Sequence, residues 1–171
     1  YVLTFEPSAA VEAFLPSGGT ARALDENLVN PTDYGNVLAG QVLALSLSLG
    51  FDEAFDDFSA SSENLGNLVV NAGTFEGMSV GEVLEIGNAV LGGCASDYSA
   101  SEINAVISSI NENYVDGTTN NGFLDCPEDE VPCSLELAGI SNDCSGEGTY
   151  TLTVNVTGSN GATSKRIDWR T

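Results

Sequence analysis

The sequence predicts an α+β fold, with a helical N-terminal part that carries short strands (residues 1–126) and a small antiparallel β part (residues 127–171). Three observations lead there. Two Ser-x-x-Glu boxes, Ser79-Val-Gly-Glu82 and Ser99-Ala-Ser-Glu102, each open an apolar stripe of helical spacing. A long apolar segment, Val37–Leu49, precedes them. After Cys126 the pattern turns to alternation, clearest where Tyr150, Leu152, Val154 and Val156 interleave with Thr149, Thr151, Thr153 and Asn155.

Along the chain, Tyr1-Val-Leu-Thr-Phe5 alternates, with Tyr1, Leu3 and Phe5 on one face, and predicts a short strand. A helix over Ser8–Leu15 stops at Pro16 and the Gly18-Gly19 turn. Pro31 and Gly35 frame a loop. In the apolar segment Leu38, Val42, Leu45 and Leu49 recur at helical spacing, while Leu43, Leu45, Leu47 and Leu49 alternate as a strand would. Length and good helix formers decide for a buried helix. At 13 residues, with Gly40, Gln41, Ser46 and Ser48 inside it, the run falls short of a membrane span.

Gly, Asn and Ser between Phe58 and Gly77 predict loops, with Leu68-Val69-Val70 a short strand. The first boxed helix runs to about Leu91 and ends at Gly92-Gly93. The second runs to about Tyr114 on the stripe Ile103, Val106 and Ile110. Pro127 and Pro132 then bracket an acidic linker. Strands follow at Ser134–Ile140, around Tyr150–Val156 and, beyond the turn Gly158-Ser-Asn-Gly161, at Thr163–Arg170. Three strands are fewer than the roughly seven of a closed sandwich. Such a sheet must pack on the helical part or borrow a strand.

Charge sorts the partners. Among 171 residues there are 25 acidic and four basic side chains and no histidine, for a net charge of −21. Lys165, Arg166 and Arg170 lie in the last seven residues, and before them Arg22 is the sole cation. Nucleic acid and anionic membrane surfaces are poor partners for such a body. With 42% apolar residues, a folded core inside an acidic shell is expected rather than disorder.

The four cysteines, Cys94, Cys126, Cys133 and Cys144, form no CxxC pair and have no histidine to complete a zinc site. They read as two structural disulfides and hence as export. Of three pairings, Cys94–Cys126 with Cys133–Cys144 is favoured, since the second pair closes a short hairpin-like loop. An opening Tyr in place of Met reads as a mature or excised piece of a longer precursor.

Motifs for chemistry are sparse. No histidine stands ready to activate a serine or cysteine, and no Gly-rich phosphate loop with its lysine is present. Asp52, Glu53, Asp56 and Asp57 could supply an acid–base pair for sugar cleavage, but a solvated face is the simpler reading. The stretch Asp116–Gly122 resembles a calcium loop poorly. With Gly122 as the sixth residue, Glu128 falls at the twelfth but Gly117 falls at the first and brings no carboxylate. A helix-ending loop is expected there; the one ion left open is calcium, held by Asp116, Asn120 and the Phe123 carbonyl. Asn155-Val-Thr157 is a bare glycosylation triplet.

The order of Ala13-Phe-Leu-Pro-Ser-Gly-Gly-Thr20, Leu28-Val-Asn-Pro-Thr32, Leu38-Ala-Gly-Gln-Val-Leu-Ala-Leu45, Gly77-Met-Ser-Val-Gly-Glu-Val-Leu84 and Ile107-Ser-Ser-Ile-Asn-Glu-Asn-Tyr114 resembles a module of large secreted surface proteins of Bacteroidetes. The likeness covers roughly residues 5 to 126, and Cys133 to Gly158 is similar to the cysteine-bearing Ig-like segments that often follow it. It implies an incomplete Ig-like C-terminal part, export through the outer membrane, a role in adhesion or surface architecture, and no enzyme activity.

The expected function is therefore a non-catalytic extracellular structural subunit or adhesin module. It assembles head to tail with copies of itself into a cell-surface fibre. The terminal strand (Tyr1, Leu3, Phe5) would add to a neighbour's sheet by β-augmentation, and the basic tail (Lys165, Arg166, Arg170) would meet a neighbour's acidic body. The alternative, from another class, is a calcium-dependent module that binds surface glycans or another cell-surface protein, using aromatics such as Phe55, Phe58, Tyr98 and Trp169. No catalytic residue, nucleic-acid contact or membrane insertion is expected.

Overall fold

In the computed structural model the described residues are 1–55, 58, 63–115 and 119–127, together with the backbone of two strands at 134–141 and 151–157. Two compact units divide the chain, Tyr1–Pro127 and Glu128–Thr171. The architecture is mixed α+β, four helices with small strand pairs among the described residues.

Strand β1 (Leu3–Thr4) leads into helix α1 (Ser8–Phe14), and β2 (Leu28–Val29) precedes the long helix α2 (Val37–Ala54). Asn36 starts α2. Its side chain accepts from the Ala39 N–H and its Nδ2 donates 2.9 Å to the Arg22 carbonyl, so one buried amide both caps the helix and holds the preceding loop against it. Two 3₁₀ turns (Leu65–Asn67, Gly73–Phe75) flank β3 (Val69–Val70). Helices α3 (Val80–Leu91) and α4 (Ala100–Asn113) both begin at complete capping boxes. Ser79 and Ser99 each accept the N–H of the glutamate three residues on, and that glutamate accepts the serine N–H in return. Strand β4 (Leu124–Asp125) closes the unit by pairing antiparallel with β3.

Helices α2, α3 and α4 pack on one another around Leu38, Leu45, Val80, Val83, Ile103 and Ile107, all fully buried. Each such side chain contributes roughly 1.5–3 kcal/mol of burial. The helices approach closely at Gly87, where an added Cβ would stand 2.7 Å from the Ile107 Cδ1 and 3.4 Å from the Val42 Cγ2.

Two expectations change in extent. The N-terminal strand is extended over five residues in sequence pattern but pairs only through Leu3 and Thr4. Helix α2 continues past Leu49 to Ala54, 18 residues of mean hydropathy 1.3, and so is long and apolar enough by length and composition to cross a membrane, against the count of 13. The extra turn comes from Gly50–Ala54, which lacks a proline stop. The helix packs on α3 and α4, and Leu38, Ala39, Gly40, Val42 and Leu45 are its buried residues.

In the second unit β5 (Ser134–Ser141) and β6 (Thr151–Thr157) form an antiparallel pair. Its register sets Leu135 opposite Val156, Leu137 opposite Val154 and Ile140 opposite Leu152, with an irregularity between Leu137 and Ile140. The third strand expected at Thr163–Arg170 lies outside the described residues.

Candidate interaction surface

The last turns of α2 read Gly50-Phe-Asp-Glu-Ala-Phe55, which puts Phe51 and Phe55 four residues apart on one helix face. Their rings lie 6.2 Å apart. Phe55 closes the helix by donating its N–H to the Phe51 carbonyl, and the Phe58 N–H donates in turn to the Phe55 carbonyl. That second turn brings the Phe58 ring to 5.8 Å from Phe51. All three rings face solvent, at 45%, 54% and 52% exposure for Phe51, Phe55 and Phe58. Aromatic side chains ordinarily fill cores, and a contiguous exposed set of them marks an interaction surface.

The surroundings of this patch are anionic. No basic residue occupies the last turn of α2, so the partial negative charge of its free carbonyls is uncompensated. Exposed Glu53 adds a full charge there. Asp52 adds another while its Oδ2 accepts the Leu65 N–H at 2.6 Å, which ties the helix end to the first 3₁₀ turn. Of the acidic run weighed for acid–base work, Asp52 is thus a structural acceptor, and Asp56 and Asp57 lie outside the described residues.

Across the first unit 18 acidic residues face Arg22 alone. That arginine is engaged internally. Its guanidinium lies 4.5 Å over the Tyr34 ring and its Nη1 donates to the Tyr34 hydroxyl, which donates to Asp25. Burial first, and then the Asp25 hydrogen bond, hold the Tyr34 hydroxyl above the usual tyrosine range.

The terminal strand does not stand free. Leu3 and Thr4 pair parallel with Leu28 and Val29 of the same chain. The Tyr1 ammonium donates 2.7 Å to the Gly92 carbonyl, and Phe5 packs on Phe14 with ring centroids 5.1 Å apart. Side-chain oxygens of Asn27 and Asn30 take the Val2 and Glu6 N–H groups. One edge of this segment is thus paired within its own unit, where Leu3 and Phe5 pack against the core while Tyr1 stays 62% exposed. Lys165, Arg166 and Arg170 lie outside the described residues, as does Trp169.

Cys94 and Cys126 are exposed and free, so the favoured Cys94–Cys126 bond is not formed. Cys94 follows the Gly92-Gly93 cap of α3 and Cys126 follows β4, at the ends of separate elements. Cys133 and Cys144 lie outside the described residues.

At the suggested calcium loop two of the three expected oxygens accept hydrogen bonds. Asn120 Oδ1 accepts the Gly122 N–H at 2.8 Å, and the Phe123 carbonyl accepts the Asn71 N–H at 3.1 Å. Asn121 donates from its side chain to the Glu112 carbonyl, and Asn113 Oδ1 accepts the Phe123 N–H. The asparagines thus stitch the C-terminus of α4, the helix-ending role. Asp116 lies outside the described residues, and no cluster of three metal-ligating side chains occurs among those described.

An open cavity of about 370 Å³ lies between the N-terminal segment, α2 and α3, walled by Val2, Leu3, Phe5, Leu24, Val42 and Leu43. Tyr1, Ser46 and Asn88 bring polar groups to its lining, and the Ser46 hydroxyl donates to the Val42 carbonyl. Tyr98, expected among exposed aromatics, is half-buried against Phe75 at 4.6 Å.

Sequence reasoning named Phe55 and Phe58 but passed over Phe51, although spacings of four and three among Phe51, Phe55 and Phe58 were the available signal. Scans of family models, curated proteins and solved structures give no match to this chain.

Proposed function

We propose that this chain is a non-catalytic extracellular structural or adhesin module that assembles head to tail with copies of itself into a cell-surface fibre. The observation that carries this reading is the exposed Phe51–Phe55–Phe58 patch on a unit whose single arginine is held by Tyr34, itself bonded to Asp25. An aromatic surface ringed by uncompensated acid calls for a cationic, partly apolar partner. The chain itself contains such a segment at its other end. Contacts between unlike surfaces of identical subunits are heterologous and propagate into filaments. The terminal strand is paired along one edge within its own unit, and the basic tail is the end proposed to carry the join.

The likeness to secreted surface modules of Bacteroidetes and the incomplete Ig-like reading of residues 127–171 belong to the same proposal, as do export and a Cys133–Cys144 bond. The second reading is a ligand-binding module, which the same aromatic patch favours, since exposed rings also stack on sugar faces. Electron microscopy of the purified full chain tests the leading reading: filaments support it, and particles that remain single at every concentration and salt level contradict it.

A further inference from the structure

We infer that the surface formed by Phe51, Phe55 and Phe58, with Asp52 and Glu53, is the docking site for the C-terminal tail Lys165–Thr171 of a second copy. The inference rests on the assembly reading above and names the surface it uses. Three properties of the patch select the occupant. Its rings present π-faces within a cluster of 5.8 and 6.2 Å spacings, suited to guanidinium groups. It sits at a helix C-terminus whose last turn holds no cation, beside two carboxylates, where positive charge is favoured. And it is apolar enough that a purely charged peptide would leave it half used.

Lys165-Arg-Ile-Asp-Trp-Arg-Thr171 matches each property, with Arg166 and Arg170 for the ring faces, Lys165 for the carboxylates, and Ile167 and Trp169 for the apolar area. No other segment of the chain pairs cations with large apolar side chains, since Arg22 is the only other cation and is engaged at Tyr34. Charge complementarity therefore points to the tail. Docking between copies follows because a chain that presents both surfaces can bind a neighbour at each end.

Two full-length variants test this. In the patch variant, Phe51→Ser and Phe58→Ser remove two exposed rings and keep the tail. In the tail variant, Lys165→Glu, Arg166→Glu and Arg170→Glu keep the patch. Each alone should self-associate roughly tenfold or more weakly than the parent. An equimolar mixture should form a heterodimer, the tail of one on the patch of the other, seen by sedimentation velocity. Circular dichroism of each variant matching the parent keeps misfolding from imitating the result. A parent that never self-associates removes the assembly reading itself. Assembly of the patch variant as strong as the parent's, or a mixture that stays monomeric, overturns this inference alone, the latter pointing to a tail held within its own chain. Loss of binding to immobilised glycans in the patch variant, with self-association unchanged, would reassign the surface to a sugar and likewise overturn it.

Discussion

The Arg22 guanidinium lies 4.5 Å above the Tyr34 ring, and the Tyr34 hydroxyl it donates to passes its own proton toward Asp25 at 2.9 Å. This arrangement engages the only cationic side chain among residues 1–164 and leaves the other charged side chains of the first unit anionic. The Tyr34 hydroxyl is held neutral beyond its ordinary range by burial and by Asp25. Since the folded value is raised, the contribution to stability is full below the ordinary tyrosine pKa and is lost as pH rises through the folded one. Phenolate absorbance should show one tyrosine titrating late, and Asp25→Asn should bring it forward. An unchanged titration in that variant would contradict the role of Asp25.

The two capping boxes give an acid-side prediction. Glu82 is held below the usual carboxylate range by the Ser79 N–H and then its hydroxyl, and Glu102 by the Ser99 hydroxyl and then its N–H. A depressed folded value stabilises above the ordinary glutamate pKa and fades as pH falls through the folded one. Denaturant unfolding should therefore show Glu82→Gln and Glu102→Gln less stable than the parent at neutral pH, with the gap closing in acid. A gap that stays constant with pH would count against the ionised glutamate. Ser79→Ala and Ser99→Ala should each cost about 1 kcal/mol at neutral pH.

Gly87 tests the helix packing. A side chain there meets Ile107 at 2.7 Å, and Ile107 is fully buried with no free space to retreat into. Gly87→Val should destabilise by about 1–3 kcal/mol through overpacking of α3 on α2 and α4. Exposed Gly73, with open space around its Cβ position but a φ of 83°, should instead suffer from backbone strain alone in Gly73→Val. Equal stability of Gly87→Val and the parent by thermal unfolding would show that the three helices do not meet as described.

Cys94 and Cys126 are exposed and unbonded. Both should react with a maleimide in the native reduced protein. After oxidation, peptide mapping without reductant should recover no peptide joining Cys94 to Cys126. Its recovery as the main product would contradict their separate placement.

What the sequence made legible was local. Both boxed helices were visible because cap, partner and stripe sit within a few consecutive residues, and the ends of α3 at Ser79 and Gly92 follow directly. The alternation around Tyr150–Val156 was equally local, and β6 forms there. Of the two-residue strands, β1 and β3 fall inside the predicted Tyr1–Phe5 and Leu68–Val70, but β2 and β4 were not legible. Leu28–Val29 and Leu124–Asp125 exist only through pairing with Leu3–Thr4 and Val69–Val70, 25 and 55 positions away, and no local pattern announces them. The partner of the terminal strand was not legible for the same reason, since alternation shows that Tyr1–Phe5 can pair but not with what. Cysteine spacing likewise carries no pairing information. At the candidate site, Phe51 and Phe55 were readable as helix neighbours, whereas Phe58 joins them only through a turn after the helix ends.

Exposed rings should be dispensable for folding. Phe55→Ser, at a 54% exposed position, should change stability by no more than about 0.5 kcal/mol. A loss of several times that would mean the patch is part of the core and not a docking surface.

Sedimentation velocity of the full-length chain, across a wide concentration range at low and high salt, tests head-to-tail assembly most directly. Assembly through a basic tail and an acidic aromatic patch predicts species that grow with concentration and shrink as salt screens the charges. A single monomeric boundary under every condition would contradict it.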